Sequence, residues 1–167
     1  MFLTLRPARP DDAAPLLALI KGLAAYEREP DAVETTEADL RAQLATDPPP
    51  FRCLIAEWEG APAGFCLFFQ SYSTWRGRPG IYLEDLFVLP ELRGRGIGKA
   101  LLAALARHTL AIDGRRLEWA VLDWNAPAIA FYESLGAAPL SEWTTWRLDR
   151  EALRALAASG PPLPQTA

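Results

Sequence analysis

Three stretches of this chain carry groups that could do chemistry. In IYLEDLFV, residues 81–88, two adjacent carboxylates, Glu84 and Asp85, interrupt an apolar run. In RGRGIGKALLAAL, residues 93–105, Gly94, Gly96 and Gly98 alternate with Arg93, Arg95 and Ile97, and Lys99 follows before an Ala/Leu-rich run. In NAPAIAFYESLG, residues 125–136, Asn125 and Tyr132 stand about two helical turns apart, on one stripe with Ile129. A carboxylate can take a proton or hold a cation, and a phenol can give a proton to a leaving group. The glycine-rich turn does something different. At the front of a helix several backbone N–H groups lack intrahelical acceptors, and the positive end of the helix dipole stands behind them, so such a turn is an anion cradle.

Two familiar phosphate loops fail against these letters. A Walker A loop needs a glycine five positions before its Gly-Lys pair and Ser or Thr after it, where this chain has Arg93 and Ala100. The dinucleotide pattern G-x-G-x-x-G started at Gly94 meets Lys99 at its third glycine, and no acid closes a following parallel strand at the usual distance. What remains is R-x-x-G-x-G, from Arg93 through Gly96 to Gly98.

The elements that must position these groups alternate in type. FLTLR (2–6) reads as a strand, and Leu16, Leu17, Ile20, Leu23 and Ala24 recur at helical spacing between Asp11 and Tyr26. A second, shorter helix is predicted after Thr36, capped by its hydroxyl with Asp39 three residues on. FRCLIAEW, the turn EGAP and AGFCLFFQSYS read as a hairpin, which makes Cys53 and Cys66 potential cross-strand neighbours. IYLEDLFV is a strand, the glycine-rich segment opens a helix to about Ile112, and RRLEWAVLD (115–123) is the next strand. The segment 125–136 is a helix closed by Gly136, EWTTWRLD (142–149) a last strand, and residues 151–157 a short helix. The fold class is α/β, an α+β mixed sheet with antiparallel strands first and a β-α-β unit after them. We expect one domain over 1–158 and a disordered tail over 159–167.

Composition narrows the partners. The chain has 167 residues, half of them hydrophobic and 23% charged, an ordinary globular mixture. A net charge of −4 argues against nucleic acid as a partner. No run of 18 apolar residues crosses a membrane, and the apolar start is too short for a signal peptide, so a cytoplasmic location is expected. Two cysteines, Cys53 and Cys66, are too few and too far apart for a metal site, and no metal is expected. Charge is unevenly spread: acids dominate Glu27 to Asp39, and bases dominate Arg93 to Arg116. That pattern suits a site with one anion-binding end and one cation-binding end. The single histidine, His108, sits late on its helix without a Ser or Cys at an informative spacing. Trp75 lies just before the YLED strand, where an indole face could hold an ammonium.

The R-x-x-G-x-G segment between a strand and a helix resembles the acetyl-CoA signature of the GNAT N-acetyltransferase superfamily. IKGLAAYE (20–27), YLEDLFV (82–88), RGRGIGKALL (93–102) and WAVLDWNAPAIAFYESLGA (119–137), in this order, resemble its diamine, or spermidine/spermine, N-acetyltransferase group. The likeness covers roughly residues 3–150. It implies a GNAT-type twisted, mostly antiparallel sheet with splayed central strands flanked by helices. It also implies acetyl-CoA as cosubstrate, its pyrophosphate on the backbone of Arg93, Gly94, Arg95, Gly96, Ile97, Gly98 and Lys99. The pantetheine arm would lie along Leu86, Phe87 and Val88, with Asn125 able either to cap its helix or to bond the pantetheine amide. Glu84 is implied as the base, directly or through water, and Tyr132 as the general acid. Tyr26, Glu27, Trp75, Glu84 and Asp85 are implied on the side of a small amine substrate, and a homodimer with shared acceptor pockets is expected.

One departure bears on the substrate. Spermidine-acting members resemble Tyr-Asp-Pro-Trp where this chain has Tyr72, Ser73, Thr74 and Trp75, so a carboxylate for a distant ammonium is missing. Shorter diamines and thialysine-like amino acids compete with long polyamines. Two other functions stay open on the sequence: an acetyl-CoA-binding sensor or scaffold without turnover, and a peptide or protein N-acetyltransferase.

Overall fold

The structure is a computed structural model that describes residues 2–161, so the expected tail lies outside the described residues from 162 onward. The described chain divides after Asp123 into two compact units.

In the first unit, β1 (Leu3–Pro7) leads through a 3-10 turn into α1 (Ala13–Tyr26), and α2 (Glu37–Leu44) follows. The start of α2 is the predicted capping box: Thr36 accepts from the Asp39 amide, and Asp39 accepts in return from the Thr36 amide at 2.9 Å. The hairpin of β2 (Arg52–Trp58) and β3 (Ala61–Ser73) is followed by β4 (Arg78–Val88), α3 (Ile97–Ala111) and β5 (Leu117–Glu118). The sheet order is β1-β2-β3-β4-β5; neighbours are antiparallel except β4 and β5, which are parallel across the α3 crossover. Ala13, Leu16 and Leu19 of α1 and Leu40 of α2 bury against Cys53, Phe65 and Phe87 on one sheet face. Ile97, Leu101, Leu102 and Leu105 form the buried stripe of α3.

An arginine fastens the start of this unit. Arg6 donates to both carboxylate oxygens of Asp12, at 2.7 and 2.8 Å, and its Nε donates to Glu57 at 2.8 Å. The guanidinium holds both carboxyls below their usual range, while the two carboxylates raise its own pKa.

In the second unit, α4 (Ala126–Ser134) starts at Asn125, whose side chain accepts from the Ala128 amide at 3.3 Å, and ends before Gly136 at φ 85°. There α5 (Arg150–Ala158) is capped by Asp149, which accepts from the Ala152 amide at 2.8 Å.

Three expectations need correction. Residues 142–149 are not a strand: among the described residues no strand pairs with them, and Trp143 and Trp146 are 73% and 88% exposed. Alternation supplies a β pattern, but a strand needs a neighbour for its amides. The strand expected over 115–123 is laddered only at Leu117 and Glu118, opposite Ile81 and Tyr82. Cys53 and Cys66 are not cross-strand neighbours. Cys53 faces Leu67 and Cys66 faces Leu54, so the two thiols point to opposite faces of the sheet and both are free. Burial pushes the Cys66 thiol up to about 12, which keeps it a core side chain rather than a nucleophile.

Candidate active site

The centre of the site is an irregularity in β4. Leu67 of β3 pairs with Asp85, yet the next residue, Phe68, pairs with Leu83, so Glu84 is an extra residue that no β3 position opposes. A bulge of this kind disturbs strict alternation and re-aims side chains. The bulge relieves the two carboxylates of the opposite orientations that a regular strand would impose. Asp85 is half-buried and feels the charges of both Glu84 and Glu27, the residue that closes α1. Desolvation first, then the Glu84 and Glu27 charges, push the Asp85 carboxyl up to about 6. Burial alone raises Glu27. Three carboxylates from two elements are therefore gathered at one place, where the most buried one keeps its proton to a higher pH than an ordinary aspartate. No group of three or more His, Cys, Asp or Glu side chains that could hold a metal ion occurs among the described residues.

Beyond the bulge the strand has a free edge. β5 accompanies β4 only at Ile81 and Tyr82, so from Leu83 to Val88 no strand bonds the β5 side among the described residues. This is the separation of the central strands expected around Leu86, Phe87 and Val88. At its end a 3-10 turn, Pro90–Leu92, leads into the glycine loop. Gly94 and Gly96 take φ of 76° and 80°, and an added Cβ would meet nothing within 4 Å at either, so these are conformational glycines with open space before them. Gly98 does not share this role, since it lies in the first turn of α3 and has no positive φ. The first ladder bond of α3 runs from the Ala100 amide to the Gly96 carbonyl at 2.9 Å, which leaves the amides of Ile97, Gly98 and Lys99 without an intrahelical acceptor. An open, left-handed, glycine-lined turn with outward amides fits a diphosphate.

The basic side chains around the loop are not equivalent. Arg93 folds back: its Nε donates to the Val88 carbonyl at 3.0 Å, and its guanidinium lies 4.5 Å from the Tyr26 ring centre and 5.6 Å from that of Phe87. It thereby occupies one of the backbone acceptors expected to hold pantetheine. Arg95 lies 5.3 Å over the Trp58 ring, and Lys99 is exposed. Further along the basic run, Arg115 pairs with Asp113 and Arg116 with Glu118, so those charges are answered locally. Within the acidic run, Glu37 pairs with Arg41 and Asp39 caps α2, while Glu27 joins the carboxylate group.

Glu27, Glu84 and Asp85 are thus brought together, Tyr26 lies beside Glu27 at the end of α1 and against Arg93, and Trp75 is apart. Trp75 sits 91% exposed at the tip of the β3–β4 hairpin, beyond the Ser73–Arg78 pair. The strand from Arg78 to Asp85 alone spans roughly 20 Å. Asn125 and Tyr132 belong to the second unit, Asn125 as the N-cap of α4, where its side chain accepts from the Ala128 amide, and Tyr132 within the helix.

With this geometry in hand, comparison with known proteins is decisive at one level. Residues 17–137 match the Acetyltransferase (GNAT) family. The chain belongs to that family. As a GNAT acetyltransferase it is an enzyme, and the family's cosubstrate is acetyl-CoA. It is 41% identical to the bovine (Bos taurus) thialysine N-epsilon-acetyltransferase, over 93% of this chain and 98% of that protein. It is 35% identical to the human spermidine/spermine N(1)-acetyltransferase-like protein 1, over 91% of this chain and 23% of that longer protein. Among solved structures, an integron cassette protein from the mobile metagenome of V. cholerae superposes with a TM-score of 0.79 at 25% identity. That match covers 94% of the acetyltransferase chain and 98% of the other. Alternation along YLED allows Glu84 and Asp85 to act on one side only if a bulge turns one of them; that Glu84 is the bulged residue depends on which β3 residues β4 pairs with, and no local signal gives that.

Proposed function

We propose that this acetyltransferase moves the acetyl group of acetyl-CoA to a primary amine of a small cationic acceptor, a short diamine or a thialysine-like amino acid in preference to a long polyamine. The observation that carries this reading is the gathering of Glu27, Glu84 and Asp85 at the bulge of β4, beside a free strand edge and a glycine loop with outward amides. Acetyl-CoA supplies the thioester. Amides of the loop from Arg93 to Lys99 hold its diphosphate, and the open edge at Leu86, Phe87 and Val88 bonds the pantetheine once Arg93 yields the Val88 carbonyl. The acceptor arrives as an ammonium with a pKa of about 10 and must lose a proton before it attacks. Glu84, at the exposed position of the bulge, takes that proton directly or through a water, while Asp85 and Glu27 hold the cationic remainder. As the amine nitrogen bonds the acetyl carbon, the carbon–sulfur bond breaks, and the Tyr132 phenol protonates the departing thiolate.

The relatives' names favour the smaller acceptor, since the bovine protein named for thialysine matches this chain over nearly its whole length. Ser73, where a second carboxylate would meet a distant ammonium, points the same way. Trp75, remote from the carboxylates of its own chain, supports a homodimer in which it reaches an acceptor bound to the partner, with residues 1–158 acting as one catalytic domain.

The reading is tested by thiol release over a panel of diamines, polyamines, amino acids and peptides. Release with thialysine or a short diamine is expected. Tight acetyl-CoA binding without release would make the protein a sensor, and release with peptides alone would make it a protein acetyltransferase. In the same assay Tyr132→Phe is expected to lower kcat strongly with acetyl-CoA affinity unchanged; normal turnover would remove Tyr132 from the mechanism.

A further inference from the structure

A cavity of about 470 Å³ lies in the first unit, where the end of β1 and the start of β2 meet the end of α2 and the C-terminal half of α3. Leu44, Phe51, Phe68 and Leu105 give it apolar walls, and Arg52 and His108 supply its ionisable groups apart from the thiol of Cys53; no carboxylate lines it. This volume is in the range of small-molecule sites, roughly 300–1,000 Å³. It is separate from the acetyl-CoA loop, because His108 lies about 16 Å along α3 from Ile97 at the helical rise per residue.

The two polar groups face each other. Arg52 Nη1 and His108 Nε2 are 3.3 Å apart, and the His108 ring meets Phe68 edge to face at 5.7 Å between centres. A guanidinium has donors only, so Nε2 accepts, and the imidazole is neutral with its proton on Nδ1. Burial and then the Arg52 charge hold His108 below the usual imidazole range. Arg52 makes no salt bridge among the described residues, and its side-chain partner is His108. An unanswered guanidinium braced on a neutral imidazole, at an apolar cavity without acids, is complementary to one kind of ligand.

We propose that this cavity binds a small amphipathic monocarboxylate, its apolar chain against Phe51, Phe68 and Leu105 and its carboxylate on Arg52, whose guanidinium is braced by His108. The carboxylate receives charge-assisted hydrogen bonds from the guanidinium, and the chain buries apolar surface that the protein alone leaves unfilled.

His108 is the chain's single histidine, so its ring signals in an NMR spectrum of tag-free protein report on this site alone. Sodium octanoate is the probe, with octan-1-ol as the uncharged control, each titrated with and without saturating acetyl-CoA. Octanoate is expected to move the His108 ring resonances saturably and independently of acetyl-CoA. Octan-1-ol and the Arg52→Gln variant, folded as judged by circular dichroism, are each expected to raise the dissociation constant about tenfold or more. The proposal is overturned if octanoate leaves His108 unmoved through the millimolar range. It is equally overturned if octanol binds as well, if Arg52→Gln binds octanoate like the parent, or if acetyl-CoA displaces the probe.

Discussion

Replacing Asp85 by asparagine keeps the shape of the carboxyl and removes its charge, which isolates the cost of gathering three acids at the bulge of β4. In the folded protein the Asp85 carboxyl is pushed up to about 6 by burial and by Glu84 and Glu27. Unfolded, it returns to the ordinary aspartate value of about 3.9. Between these values the folded state binds more protons than the unfolded one, so stability falls as pH rises from about 4 to about 6 and is level above that. At about 1.4 kcal/mol per pKa unit the penalty reaches about 3 kcal/mol at neutral pH. Asp85→Asn should therefore match the parent near pH 4 and exceed its stability by up to about 3 kcal/mol at pH 7.5. Urea unfolding of both proteins across that range measures the difference. Adding 1,3-diaminopropane at pH 7.5 should narrow it, since a bound diammonium neutralises the parent's acids and has less to gain from the variant, and acetyl transfer should fall in the variant. A difference that does not change with pH, or a variant less stable at pH 7.5, would mean that a cation already answers Asp85 and that the site is not built to wait for one.

Other expectations follow from the same geometry. Asp12→Ala removes the bidentate acceptor of Arg6, and because the Asp12 side chain is only 12% exposed the loss should be about 2 kcal/mol at pH 7 by denaturant unfolding. Its carboxyl pKa is depressed, so this contribution is present above the ordinary aspartate range and is lost as pH falls below about 4. Gly96→Ala places a Cβ on a residue at φ 80°, and strain of about 1 kcal/mol should lower Tm slightly. The same substitution should weaken acetyl-CoA binding in calorimetry by a larger factor, because the turn would relax away from the shape that presents its amides; unchanged affinity would detach Gly96 from the anion cradle.

Much of this protein is written in local signals. Thr36 and Asp39 announce the start of α2, Asn125 and Gly136 bracket α4, and the turn at Glu59 and Gly60 sets the β2–β3 hairpin, because caps and turns depend on a few adjacent residues. Gly94 and Gly96 mark the anion loop for the same reason, since left-handed backbone is a property of single residues. Periodicity fails where a partner is required. Residues 142–149 alternate like a strand and have none among the described residues, and the strand expected from Arg115 to Asp123 is laddered only where Ile81 and Tyr82 lie opposite Leu117 and Glu118.

The side-chain chemistry divides along the same line. The sequence by itself determined which groups were available: an acid pair in an apolar run, a basic glycine turn, a phenol two turns from an asparagine, and one histidine. Tertiary structure alone decided that Glu84 is bulged beside Asp85 and Glu27, and that Cys53 and Cys66 face opposite ways. It also decided that Arg93 turns back onto Tyr26 and Val88, that Trp75 stands far from the acids, and that Arg52 meets His108. Each of those facts depends on strand register or helix packing, which joins residues far apart in the chain, and no local preference encodes a distance between them.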